Sequence, residues 1–185
     1  MYVMHNEAAT GPPVEALAGS GLSRVLVAVV RVTVAWLWIE NVSWKRPPEF
    51  GNKSDPAEGL YQWTLFGVQN QVFAPWAWFV EHVVLPNFVL FAWMTFLVEA
   101  CLGAFLLVGL ATRFWALVGV AQSFAIIFSV LRTPHEWFWA YLLMVAAHLL
   151  LFAVAAGRAY GLDGVLRPAW RQRDGLPARL LRVAS

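Results

Sequence analysis

The sequence is poor in charged residues and in cysteine. Only 13% of its 185 residues are charged, whereas 60% are hydrophobic, and soluble domains usually contain about 25% charged residues. This balance excludes a disordered chain and argues against a water-soluble globule. The single cysteine, Cys101, excludes an internal disulfide, a CxxC redox pair and a metal site built from thiolates alone.

A strong net charge and cofactor motifs are also missing. The 13 basic and 11 acidic residues give a net charge of +2, which is too small to indicate a nucleic-acid partner. No flavin, nicotinamide or iron–sulfur motif is visible, so an electron carrier would have to be a quinone or belong to a partner. No basic segment precedes the first apolar run, and Trp36 and Trp38 lie within it, which favours a retained anchor over a cleaved signal peptide.

Long apolar runs dominate the rest of the sequence. Each is close to the roughly 20 residues that cross a bilayer as a helix, in which backbone groups bond internally. The predicted spans are residues 25–42, 87–110, 114–131 and 137–157. The predicted fold class is therefore all-α: an integral membrane four-helix bundle with short interfacial helices in the outer segment between the first two spans.

The polar segments suggest a division of the chain into a tail, a membrane domain and a second tail. Residues 1–21 are a polar N-terminal tail, 22–165 the membrane domain with its outer segment at 44–86, and 166–185 a basic cytoplasmic tail. Thr133 and Glu136 have the spacing of a capping box and predict the start of the fourth span. The aromatic residues of the outer segment indicate either membrane anchoring or a lid over an outward-facing pocket.

The basic residues predict the orientation, because Lys and Arg are enriched in cytoplasmic flanks. Four spans place eight arginines on one side, namely Arg24, Arg113, Arg158, Arg167, Arg171, Arg173, Arg179 and Arg182. The other side receives Lys45, Arg46, Lys53 and Arg132. We therefore expect a bacterial-type plasma (inner) membrane protein with both termini in the cytoplasm and a tail that binds anionic lipid.

Each predicted span carries one polar side chain at membrane depth: Arg31, Glu99, Gln122 and His148. At about 1.5 Å per residue they lie roughly 10–16 Å from the cytoplasmic ends. An unpaired charge in lipid costs at least about 2.5–3.5 kcal/mol, so we expect all four to face the bundle interior, with Arg31 and Glu99 as an ion pair. This pair would either fix the helix register only or form part of a functional site.

The functional alternative is a site for a neutral ligand such as a quinone. Its candidate catalytic residues are Arg31, Glu99 and His148, since His148 changes charge near neutral pH and could relay a proton. The candidate cofactor-binding residues are Arg31, Gln122, His148, Trp38 and Tyr141. A haem held by two histidines is disfavoured, because His148 is the one histidine placed within a predicted span.

A second polar group lies at the predicted outer face. We expect Lys45 and Arg46 to attract an anionic substrate or a partner subunit, and His82 and His135 complete this candidate substrate or partner site. Two histidines with nearby carboxylates would suit a metal ion. The spacing matches no established metal pattern, so no metal is assigned, and a solvated interface rim is the alternative.

The stretch that begins at Glu99, EACLGAFLLVGLATRFWAL, resembles the central signature of the DoxX/DoxD family. In that family a Glu, a following Gly and a Gly-Leu-x-Thr-Arg turn join the second and third of four helices. Arg31 is similar to the family's Arg in the first helix, Lys45 to the Lys that follows it, and Asp163 to the closing Leu-Asp. The resemblance covers about residues 23–165, and the long outer segment looks closer to the DoxD-type proteins.

The resemblance implies a four-helix membrane protein with quinone-linked redox chemistry. DoxD-type members are the small membrane subunit of thiosulfate:quinone oxidoreductase, which works with a separate, largely extracytoplasmic subunit. The leading interpretation is therefore a quinone-interacting membrane subunit of an oxidoreductase. Its redox partner subunit would be either extracytoplasmic or cytoplasmic, and a homo-oligomer is compatible with it. Its rivals are a non-enzymatic scaffold that tethers soluble redox or stress-response proteins, and a small carrier or lipid-binding module.

Overall fold

The computed structural model describes residues 20–51 and 59–185. Within these ranges the chain is helical and contains no β-strand. Of the predicted N-terminal tail, residues 1–21, only residues 20 and 21 are among the described residues. Lys53 also lies outside them.

Eight α-helices make up most of the described chain. They are α1 (Gly21–Ser43), α2 (Leu60–Gln69), α3 (Ala74–Phe79), α4 (Phe88–Val108), α5 (Thr112–Val130), α6 (Phe138–Ala153), α7 (Leu162–Arg171) and α8 (Leu176–Ala184). A π-helical turn at Val80–Val84 and a 3₁₀ turn at Leu85–Asn87 join α3 to α4, and a 3₁₀ turn at Ala156–Arg158 precedes α7.

Three helical stretches of the described chain are long and apolar enough to cross a bilayer: Gly21–Ser43, Ala74–Val108 and Thr112–Val130. The apolar helix Phe138–Ala153 is shorter. The protein is thus an all-α protein with membrane helices, as the apolar runs predict. Because α3 continues through two turns into α4, the second of the expected short outer helices is part of a 35-residue helical stretch.

The core lies where α1, α4, α5 and α6 meet. In α1 the buried residues Arg31, Val34, Ala35 and Trp38 occupy positions i, i+3, i+4 and i+7 and form one face. This face packs against α4, where a Cβ on Gly103 would lie 2.8 Å from Ile39 Cγ1. The missing side chain lets α1 and α4 approach closely.

The second close pair is α5 with α6. A Cβ added to Gly119 of α5 would lie 2.0 Å from Cδ2 of His148 in α6, so the glycine makes room for the imidazole. Next to it the buried Ser123 hydroxyl donates to the Gly119 carbonyl at 2.7 Å. Gly103 and Gly119 thus lie at close contacts between neighbouring helices.

The predicted start of the last apolar helix is wrong. Helix α6 begins at Phe138 with Trp137 as its N-cap, and no side chain caps it. His135 adopts a left-handed conformation with φ of 70°, which interrupts a helix between Thr133 and Glu136. The Glu136 carboxylate instead accepts a hydrogen bond from the Tyr141 hydroxyl.

Candidate functional site

A cavity of about 1570 Å³ lies between the helices. Ligand pockets usually measure roughly 300–1,000 Å³, so this one has room for a bulky ligand. Its wall is mainly apolar and aromatic and is contributed by α1 to α6. The polar side chains that reach it include Lys45, Glu99, Gln122, Trp38, His148 and Tyr141.

A buried ion pair forms one part of the cavity wall. Lys45 Nζ lies 2.8 Å from Oε1 and 2.5 Å from Oε2 of Glu99. Glu99 is 0% exposed and Lys45 4% exposed. The Gln122 amide donates a third hydrogen bond to Glu99 Oε1 at 3.1 Å. We refer to Lys45, Glu99 and Gln122 as the cavity cluster.

The predicted ion pair between Arg31 and Glu99 is wrong. Arg31 Nη1 donates to the carbonyls of Leu106 at 2.6 Å and Leu107 at 2.8 Å, and Nη2 donates to that of Tyr160 at 3.2 Å. Glu99 lies seven residues before Leu106, which is about 10 Å along α4. Lys45 reaches Glu99 from beyond the end of α1, so the long lysine side chain fills the place expected for the arginine.

Arg31 belongs instead to a second polar group at the turn between α4 and α5. The Asp163 carboxylate accepts hydrogen bonds from the amides of Ala111 at 2.7 Å and Thr112 at 2.9 Å, while Arg31 binds the carbonyls at the end of α4. We refer to Arg31, Asp163 and the turn Gly109–Thr112 as the turn cluster. Neither charged side chain of this cluster lines the cavity.

The sequence shows that the short turn between α4 and α5 leaves backbone groups to be bonded, but not that Asp163 bonds them. A turn as short as Gly109–Ala111 leaves the first amides of the following helix and the last carbonyls of the preceding one without partners. Gly109 and Ala111 are both left-handed, with φ of 70° and 49°. Two buried charged side chains from elsewhere in the chain bind such groups here: Asp163 accepts from the amides and Arg31 donates to the carbonyls.

His148 is neutral and both of its ring nitrogens are engaged. Trp38 Nε1 can only donate, so His148 Nε2 accepts its hydrogen bond at 2.8 Å. The ring proton is therefore on Nδ1, which donates to the Met144 carbonyl at 2.7 Å. For His148 to donate to a ligand carbonyl, as expected from the sequence, the bond to Trp38 must first break.

The structure does not bring the residues of the expected outer-face site together. Lys45 is buried in the cavity cluster, whereas Arg46, His82 and His135, the other residues of this expected site, are exposed. His82 stacks on Trp78 and bonds the Trp78 carbonyl through Nδ1 at 2.9 Å. In residues 20–51 and 59–185, no three His, Cys, Asp or Glu side chains gather where they could hold a metal ion.

Comparisons with known proteins identify one family. The family model described as "TQO small subunit DoxD" matches residues 26–176, which is most of the chain. No curated protein matches the sequence significantly. No solved structure matches it significantly either.

Proposed function

The chain belongs to the DoxD family, and from this premise we propose that it is the quinone-interacting membrane subunit of an oxidoreductase complex. The quinone ring binds in the cavity beside the cavity cluster. One observation carries this proposal: a large, mostly apolar cavity has a buried lysine, a buried carboxylate and a half-buried amide in its wall. Apolar walls suit an isoprenoid ligand, and a few convergent polar groups suit its ring oxygens.

The cavity cluster retains hydrogen-bond donors for a quinone carbonyl. A lysine ammonium has three N–H donors and a glutamine amide has two. Lys45 makes two contacts to Glu99, and Gln122 makes one. One donor on each residue therefore has no hydrogen-bond acceptor in this cluster, although the Lys45 ammonium also lies 5.0 Å from the centroid of the Trp44 ring. The aromatic rings of Trp38 and Tyr141 line the same cavity.

Reduction of a quinone to a quinol takes up two electrons and two protons. Because the sequence carries no flavin, nicotinamide or iron–sulfur motif, the proposed source of the electrons is a partner subunit. If the complex resembles the thiosulfate:quinone oxidoreductase of the family description, thiosulfate is the electron donor. Lys45 and Glu99 are ionisable groups at the cavity wall and are placed to pass protons to the ring oxygens. Arg31 has no direct part, because its contacts are to backbone carbonyls.

The proposed topology is a four-helix bundle in a bacterial-type plasma membrane. Helix α6 is the fourth crossing, and its 16 residues span about 24 Å. Trp137 and Trp139 at its start are exposed and suit the membrane interface, where α2 and α3 also lie. The arginine-rich end of the bundle, with both termini, faces the cytoplasm.

The test is mass spectrometry of gently solubilised protein, which detects retained quinone and any co-purifying subunit. We expect quinone in the wild type and much less in Gln122→Leu, which removes a donor and keeps the ion pair. Gln172→Leu is the matched control, because Gln172 is exposed beyond α7. Absence of quinone from every sample, with partner proteins still bound, would favour the scaffold function instead.

A further inference from the structure

Helices α7 and α8 present their apolar sides to the outside. In α7 the outward residues include Val165, 73% exposed, whereas Asp163 is buried and Arg167 half-buried. In α8 they include Leu176 and Val183, 69% and 71% exposed. An amphipathic helix on a protein in water buries its apolar side against the core. The reversed arrangement indicates that something other than water surrounds these two helices.

Positive charge is concentrated around these two helices at one end of the bundle. The arginines that interact there electrostatically are Arg113, Arg158, Arg167, Arg171 and Arg182, and the carboxylate of Asp163 interacts with Arg158 and Arg167. Asp163 is already engaged with the turn between α4 and α5. Partial burial, and then the charges of Arg171 and Arg113, lower the pKa of the Arg167 guanidinium.

Several donors of this group have no acceptor within the described residues. The Nε atoms of Arg113 and Arg167 are buried and unbonded. Arg158 and Arg167 donate to the Ser185 backbone oxygen at 3.0 and 2.8 Å, which holds the end of α8 in place. The group therefore has an excess of cations and donors.

From these observations we propose that this end of the bundle, formed by α7, α8 and the start of α5, binds the headgroup of an anionic phospholipid. The arginine group attracts the phosphate, since guanidinium groups bind phosphate oxygens with strong, charge-assisted hydrogen bonds. The outward apolar sides of α7 and α8 contact acyl chains. A second copy of the chain is a poorer occupant, because a two-fold contact would set the same arginines against each other.

The experiment reconstitutes the full chain in nanodiscs of phosphatidylcholine, alone or mixed with phosphatidylglycerol, and measures retained lipids by native mass spectrometry. We expect the wild type to retain phosphatidylglycerol in preference to phosphatidylcholine. Each basic residue near an anionic surface changes the binding constant by about fivefold. The double variant Arg113→Gln/Arg171→Gln should therefore lower the preference by roughly 25-fold.

The control is Arg46→Gln/Arg132→Gln, which removes the same charge from exposed residues away from the arginine group and should leave the preference unchanged. Equal retention of the two lipids, or equal loss in both double variants, would overturn the proposal. Displacement of the lipid by inorganic phosphate at low concentration would do so as well, since it would identify a free-anion site.

Spin labels provide a second measurement that does not depend on the arginine variants. Cysteines introduced as Val165→Cys and Val183→Cys in a Cys101→Ala background should be accessible to oxygen and protected from a water-soluble relaxation agent in the bilayer. Labels exposed to water, or shielded in detergent by dimer formation, would show that lipid does not cover these helices.

Discussion

The cavity cluster and the turn cluster are both buried and both combine a cation with an acid, yet they use their hydrogen bonds differently. In the turn cluster, Arg31 and Asp163 bind backbone carbonyls and amides and hold two helix ends together. In the cavity cluster, Lys45 and Glu99 bind each other and line a large cavity. The comparison separates buried charges that stabilise the fold from buried charges that a ligand can reach.

The largest expected effect is on the turn cluster. Asp163→Ala leaves two amides unbonded and removes the anion that interacts with Arg31. Loss of one partner from a buried charged network typically costs about 3–5 kcal/mol. Denaturant unfolding in micelles should show this loss, and Asp174→Ala, at an exposed position, should show almost none. Equal stability of the two variants would mean that the turn needs no side-chain cap.

A similar loss is expected when the cavity cluster loses one charge. Lys45→Met leaves the Glu99 carboxylate buried without its cation, at a cost of about 3–5 kcal/mol. The double variant Lys45→Met/Glu99→Met should recover most of that stability, because no buried charge remains, but it should not recover quinone binding. A double variant as unstable as Lys45→Met would show that the pair is needed for folding itself.

Two glycines extend the comparison with smaller, matched changes. A Cβ in Gly157→Ala would lie 2.1 Å from Thr112 Oγ1 and 2.2 Å from Asp163 Oδ2, so overpacking should cost about 1–3 kcal/mol without changing quinone binding. In Gly119→Ala the clash falls on the His148 ring and should weaken binding as well. Melting curves and quinone retention measured on the same samples test this difference. Loss of binding in Gly157→Ala, or its retention in Gly119→Ala, would contradict it.

The smallest effect is expected for Trp38→Phe. This change removes the hydrogen bond to His148 Nε2 while it preserves an aromatic ring, so the cost should be about 1 kcal/mol. Nitrogen NMR of His148 should still report the proton on Nδ1, because the Met144 carbonyl is unchanged. A protonated Nε2 in the variant would show that Trp38 determines the tautomer.

The sequence predicts the helices well because long apolar runs have one stable form in a bilayer. The expected spans 25–42 and 114–131 lie close to α1 and α5. The partner of Glu99 could not be predicted in the same way. A depth estimated from the helix ends places Arg31 and Glu99 near each other. It does not include Lys45, which follows the end of α1 and extends its long side chain to Glu99.

Sequence patterns also do not predict the role of Asp163 or the start of α6. Asp163 acts on amides about fifty positions earlier in the chain, so its partners depend on how the helices pack. Thr133 and Glu136 have the spacing of a capping box, but the left-handed residue His135 between them prevents the helix from starting there. Local patterns therefore predicted the elements, whereas tertiary packing decided which polar groups meet.

The most direct test of the central claim is titration of a short-chain quinone into detergent-solubilised, folded protein. The account predicts that Lys45→Met/Glu99→Met remains folded and binds no quinone, while the fraction of Asp163→Ala that remains folded binds it with the wild-type affinity. Wild-type affinity in the double variant, or loss of binding in folded Asp163→Ala, would contradict the assignment of the cavity cluster as the ligand site.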